Sequence, residues 1–170
     1  MGGPVGLKQE RFQSIMPKPH WTGLTSFSSV FLRLALGASF LSAVADRFGL
    51  WGEFGQPNVA WGNFSRFVEY TSRLNWYLPS VTTPPLAVIA TCAETLLGLL
   101  LIVGWQTRTS ALLSGTLLTL FALAMTFALG IKAPLNLSVF SAAGGAFLLA
   151  RCSRFPFSMD QLLQRSRESE

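Results

Sequence analysis

Long apolar runs separated by short polar breaks dominate the chain. Four runs stand out, over residues 27–49, 85–104, 109–131 and, shorter, 135–150. The first three are close to the ~20 residues that a helix rising ~1.5 Å per residue needs to cross a bilayer core. Backbone amides in hydrocarbon must be satisfied within their own segment, and none of the runs alternates as a barrel strand would, so the pattern predicts α-helices. The expected fold is all-α, a four-transmembrane-helix bundle. The connection between the first two runs reads differently. In WGNFSRFVEYTSRLNWYLP, Trp61, Phe64, Phe67, Val68, Leu74 and Leu78 recur at helical spacing, opposite Ser65, Arg66, Glu69, Ser72 and Arg73. This predicts an interfacial amphipathic helix between helices 1 and 2, with Glu69 and Arg73 as an i,i+4 pair. It either closes a long connection or lies as a lid over a cavity. Ser158 and Gln161 have capping-box spacing ahead of Leu162 and Leu163, which predicts a short helix before a frayed tail at 165–170. The chain thus divides into an N-terminal segment (1–26), a transmembrane domain (27–150) and a C-terminal segment (151–170).

Composition places these helices in lipid. Half of the 170 residues are apolar and 12% are charged, about half the charge fraction of an ordinary soluble domain. The first 25 residues lack the apolar stretch and small-residue cleavage site of a secretory signal, so the first run is expected to remain as an anchor. Lys8, Arg11, Lys18, Arg108, Arg151, Arg154, Arg165 and Arg167 fall on one side of the expected bundle, and Arg47, Arg66, Arg73 and Lys132 on the other. That asymmetry predicts a multi-pass protein of the inner (plasma) membrane of a bacterium, with both termini cytoplasmic. The net charge of +5 then reflects topology and contact with anionic lipid, and no basic helix or aromatic-basic platform suggests nucleic acid. Trp21, Trp51, Trp61, Trp76 and Trp105 all fall at expected interfaces, where an indole is half buried and half wet.

Little soluble-enzyme chemistry is encoded. Cys92 lies inside the second run and reads as a small buried filler, while Cys152 lies at the far end of the fourth, so no disulfide or CxxC pair is expected. His20 has no second ligand at metal spacing, and neither a metal site nor an encoded cofactor is expected. What remains are ionisable residues at membrane depth: Arg33, Asp46, Arg47, Glu94 and Lys132. Such charges cost on the order of 2.5–3.5 kcal/mol each to insert, so they face the bundle interior and pair. Depth along antiparallel helices makes Arg33 the expected partner of Glu94, within a polar seam of Arg33, Glu94, Asp46 and Lys132. Thr91, Glu94 and Gly98 share one helix face. Gly98 and the small residues Ser141, Ala142, Gly144 and Gly145 suit close helix packing.

The stretches RLALGASFLSAVADRFG (33–49) and AETLLGLLLIVGWQTRTSALL (93–113) resemble the DoxX family of small four-helix membrane proteins. An Arg followed by Gly four residues on, a basic residue closing the helix, and a Glu before a Gly-containing apolar run and basic turn carry the likeness, which extends over residues 28–150. Ala43, Ala45 and the additional acid Asp46 depart from the pattern. Members resemble subunits of thiosulfate:quinone oxidoreductase, others are linked to redox or detoxification systems, and many have no assigned role. Two functions follow. One is a non-catalytic integral membrane subunit, or an accessory or assembly factor of a larger membrane redox complex, with lipids and other membrane subunits as partners. The other is a quinone-interacting subunit of an oxidoreductase, with Glu94, Arg33 and Arg47 at a quinone or proton site and a bound quinone or lipid as the only cofactor.

Overall fold

The computed structural model describes residues 21–153 and 155–168. Lys8, Arg11, Lys18, His20 and Arg154 therefore lie outside the described residues. Within them the chain is helical, with no strand: α1 (Trp21–Arg47), α2 (Phe64–Leu74), a 3-10 turn (Ser80–Thr82), α3 (Thr83–Val103), α4 (Thr107–Leu129), α5 (Lys132–Asn136), α6 (Val139–Arg151) and α7 (Met159–Glu168). Three helices are long and apolar enough to cross a membrane, Gly23–Arg47, Ser80–Val103 and Thr107–Leu129.

Local chemistry explains the helix ends. Pro84 and Pro85 lie in the first turn of α3, where the missing N–H is not needed. Gly104 ends α3 at φ 73°, a left-handed cap with its N–H on Leu100 O at 2.8 Å. Gly130 ends α4 at φ 84°. The fourth apolar run is not one helix. It breaks into α5 and α6 around Ser138, which is left-handed at φ 54°. The 13 residues of α6 span ~20 Å, short of a ~30 Å hydrocarbon core. The described residues thus hold three helices of spanning length and one shorter apolar helix where four spans are expected.

Antiparallel α1 and α3 pack against one another, α6 runs along α4, and α2 lies across α3 and α4. Leu36, Phe40, Leu97, Leu101, Ala111, Ala146 and Leu149 form the shared core. Gly37 and Gly98 bring α1 and α3 close together: a Cβ on Gly37 would lie 2.7 Å from Ile102 Cγ1 and 2.9 Å from Gly98 O. No other residue allows two helices to approach so closely.

The small residues of α6 are rotated from the expected face. Ala143, Ala146, Leu149 and Ala150 are buried, whereas Ser141 is exposed and a Cβ on Gly144 would meet nothing within 4 Å. Gly145 does pack, against Leu32 Cδ1 of α1 at 3.1 Å from such a Cβ. Gly144→Leu should leave the thermal unfolding midpoint in detergent unchanged. Gly145→Leu should lower stability by about 1–3 kcal/mol through overpacking. Equal effects of the two substitutions would refute this orientation of α6.

Candidate functional site

Asp46 and Arg47 end α1, and as neighbours on a helix they point in different directions. Both are buried. A helical side chain leans towards the N-terminus of its own helix, so Arg47 leans back into the bundle. There its Nη2 donates to both oxygens of Glu94 at 2.7 Å, and its Nη1 to Thr91 Oγ1 at 2.8 Å. The Thr91 hydroxyl in turn donates to Ala87 O at 2.8 Å, completing a small network on one face of α3. The ion pair is closed off from solvent, with Arg47 3% and Glu94 2% exposed. The ring of Phe67 covers the guanidinium, its centroid 3.6 Å from Cζ, and Trp61 lies at 5.4 Å. Arg47 Nε is buried without a hydrogen-bond partner.

Asp46 turns the other way. Its Oδ2 accepts from the backbone N–H groups of Ala60 and Trp61, both at 3.0 Å, while its Oδ1 is buried without a partner. Asp46 thereby holds the returning connection so that Trp61 stands over Arg47, edge-on to Phe67 with ring centroids 5.2 Å apart. Asn63 caps α2 by accepting from Arg66 N at 3.0 Å. Phe67, Thr71 and Leu74 form the buried face of α2. Burial also pushes the Tyr70 phenol above its ordinary value. The expected Glu69–Arg73 pair is replaced by Arg66–Glu69 at 3.2 Å, an exposed i,i+3 contact of little energetic weight. The amphipathic helix covers an ion pair, and Trp61 belongs to that cover, unlike the exposed Trp51, Trp76 and Trp105.

The expected Arg33–Glu94 pair is not formed. Gly37 faces the stretch between Gly98 and Ile102, so Arg33, four residues earlier in the antiparallel helix, is level with Gly104 and ~15 Å from the level of Glu94. Its lean carries it farther away. Arg33 Nη2 donates to Phe157 O at 2.6 Å and Nη1 to Pro156 O at 3.3 Å, which fastens the C-terminal segment to the bundle. Arg47 is level with about Ala90, only ~6 Å from Glu94, and leans towards it. Lys132 is not in the seam either; it opens α5 at the bundle end and is exposed. Cys92, expected as a buried filler, is exposed on the outer surface of α3, and Cys152 is also a free thiol.

At the Arg33 end, Asp160 caps α4: its Oδ1 accepts from Gln106 N and its Oδ2 from Thr107 N, each at 2.8 Å. Ser158 Oγ accepts from Gln161 N at 3.2 Å, and Gln161 Oε1 accepts from Phe157 N at 3.0 Å, the expected capping arrangement shifted by one residue on the second bond. The helix then continues through Glu168. Sequence reasoning missed Phe67, Asp160 and the carbonyls of Pro156 and Phe157. An aromatic over a buried cation had a signal in the Trp61–Phe67 spacing; backbone carbonyl acceptors had none.

Two grooves mark the surface. One of about 520 Å³ opens beside Asp46, Ser42, Trp51 and Trp61, and one of about 920 Å³ lies beneath α7. Neither is lined by Glu94, Arg47 or Arg33. Among the described residues no group of three or more His, Cys, Asp or Glu side chains could hold a metal ion.

A family model described as DoxX matches residues 28–129, a span that includes the α1–α3 contact and both members of the buried ion pair. The comparisons with curated proteins and with solved structures found no match.

Proposed function

The chain belongs to the DoxX family, and from that premise we propose that it is a non-catalytic membrane accessory subunit, a helical scaffold on which a larger membrane complex is built. One observation carries this reading: both oxygens of Glu94 accept from Arg47, and the Phe67 ring covers the guanidinium. A quinone headgroup would have to displace α2 to reach this carboxylate, and the sealed pair serves better to set the register of α1 against α3. The lipid-facing surfaces of α1, α3 and α4 carry large exposed apolar side chains such as Phe31, Leu96 and Leu120, suited to lipid and to neighbouring subunits. Purification from native membranes in mild detergent, with mass spectrometry of protein and of the lipid-soluble extract, tests the proposal. Other membrane subunits should co-purify reproducibly. Stoichiometric quinone that is lost in Glu94→Gln while the helices remain folded would overturn it.

The proposed topology has four crossings of the inner membrane, with α5 and α6 together making the last and both termini cytoplasmic. The basic asymmetry of the sequence supports it. Reporter fusions at Leu78 and at the C-terminus should report opposite sides of the membrane. The same side for both would refute four crossings.

A further inference from the structure

The C-terminal helix packs with its faces reversed. It turns its polar side to the bundle: Asp160 caps α4, the Asp160 N–H donates to Gly104 O at 3.1 Å, and Gln161 bonds to the preceding turn. Met159, Leu162 and Leu163, at i, i+3 and i+4, share a face that points outward, with exposures of 41%, 58% and 48%. Phe157 beside them is 86% exposed and left-handed at φ 50°, a strained conformation for an aromatic residue. Arg33 holds it there through the Phe157 carbonyl. A helix packed for water would bury these four side chains and expose Asp160 and Gln161. The arrangement suits an apolar phase outside the protein, at the end of the spans where Trp105 is also exposed.

The surrounding charge identifies that phase. Arg108 and Arg151 are exposed and without an ion pair among the described residues. The sequence adds arginines at 165 and 167 on α7 itself. The nearby acid Asp160 is already engaged by two backbone amides. The groove of about 920 Å³ beneath α7 is lined by the donors of Trp105, Gln106, Arg108 and Gln164, by Asp160 with its oxygens already taken up by the two amides, and by Leu163.

We propose that α7 is a membrane-surface helix on an anionic leaflet, with Phe157, Met159, Leu162 and Leu163 at the acyl boundary and a phospholipid phosphate held in the groove at Arg108. The helix runs flat along the leaflet and is fastened to the spans by Arg33 and Asp160. It adds a lipid contact that does not depend on the scaffold role.

The test uses the full chain in nanodiscs, with Cys92 and Cys152 replaced by serine and one bimane label at position 162 or, as an aqueous reference, at position 56. Brominated acyl chains should quench the label at 162 several-fold more than iodide does, and the reference should show the opposite order. A label at 162 quenched like the reference would place the helix in water, and one shielded from both quenchers would mean a protein cover; each overturns the proposal. An independent measurement needs no label on α7. In native mass spectrometry from mixed phosphatidylglycerol and phosphatidylcholine, Arg108→Gln should reduce the preference for phosphatidylglycerol about fivefold. Unchanged retention would remove the phosphate from the groove and overturn that assignment.

Discussion

Arg47→Leu is expected to lower the stability of the bundle in detergent by about 3–5 kcal/mol, because it leaves Glu94 charged and unpaired at depth. The pair is nearly inaccessible to water, so there is no solvent to replace the lost partner. The double change Arg47→Leu with Glu94→Gln should recover much of the loss, since it removes the orphan charge and leaves the packing under Phe67 largely intact. A double-mutant cycle should therefore show coupling above ~1 kcal/mol between residues 47 and 94. The same cycle between Arg33 and Glu94 should be additive within ~0.5 kcal/mol, because Arg33 binds the carbonyls of Pro156 and Phe157 at the other end of the bundle. Thermal or denaturant unfolding followed by circular dichroism measures both cycles. Coupling of Glu94 to Arg33, or none to Arg47, would mean that α1 and α3 pack in another register.

Substituting leucine for Gly37 should have the second largest effect. The nearest atoms to the new Cβ would be Cγ1 of Ile102, a β-branched side chain stiff at χ1, and the carbonyl oxygen of Gly98, which cannot turn aside. The helices must part, at a cost of about 1–3 kcal/mol or more for overpacking. The consequence reaches beyond the contact. Arg47 is ten residues along the same helix, and its hydrogen bonds to Glu94 and Thr91 at 2.7 and 2.8 Å have little tolerance for a shifted axis. In the Gly37→Leu background the 47–94 coupling should shrink. Full coupling at unchanged stability would show that the Gly37–Gly98 approach is not what sets the register.

Periodicity and composition were sufficient for the large features. Runs of about twenty apolar residues have one backbone solution in lipid, so α1, α3 and α4 were legible with their ends displaced by a few residues. The two stretches that resemble DoxX lie wholly within the matched region, 28–129. The amphipathic helix was legible because Phe64, Phe67, Val68 and Leu74 keep a 3.6-residue period, and the C-terminal helix because Ser158 and Gln161 make a local capping signal. Each of these is a property of residues within a few positions of one another.

The partner of Glu94 was not of that kind. Depth counted from the ends of apolar runs placed Arg33 within reach, because such counting carries no helix register and treats side chains as if they projected sideways. The register comes from Gly37 against Gly98, sixty-one positions apart, and the choice of partner comes from the tilt of every helical side chain towards its own N-terminus. The broken fourth run and the outward Gly144 have the same origin, since composition names apolar residues without giving the rotation of their helix. Sequence alone determined that this chain forms apolar helices and carries an acid at depth that needs a cation. Only the tertiary structure decided which cation, because helix register is a contact between surfaces and not a property of either helix alone.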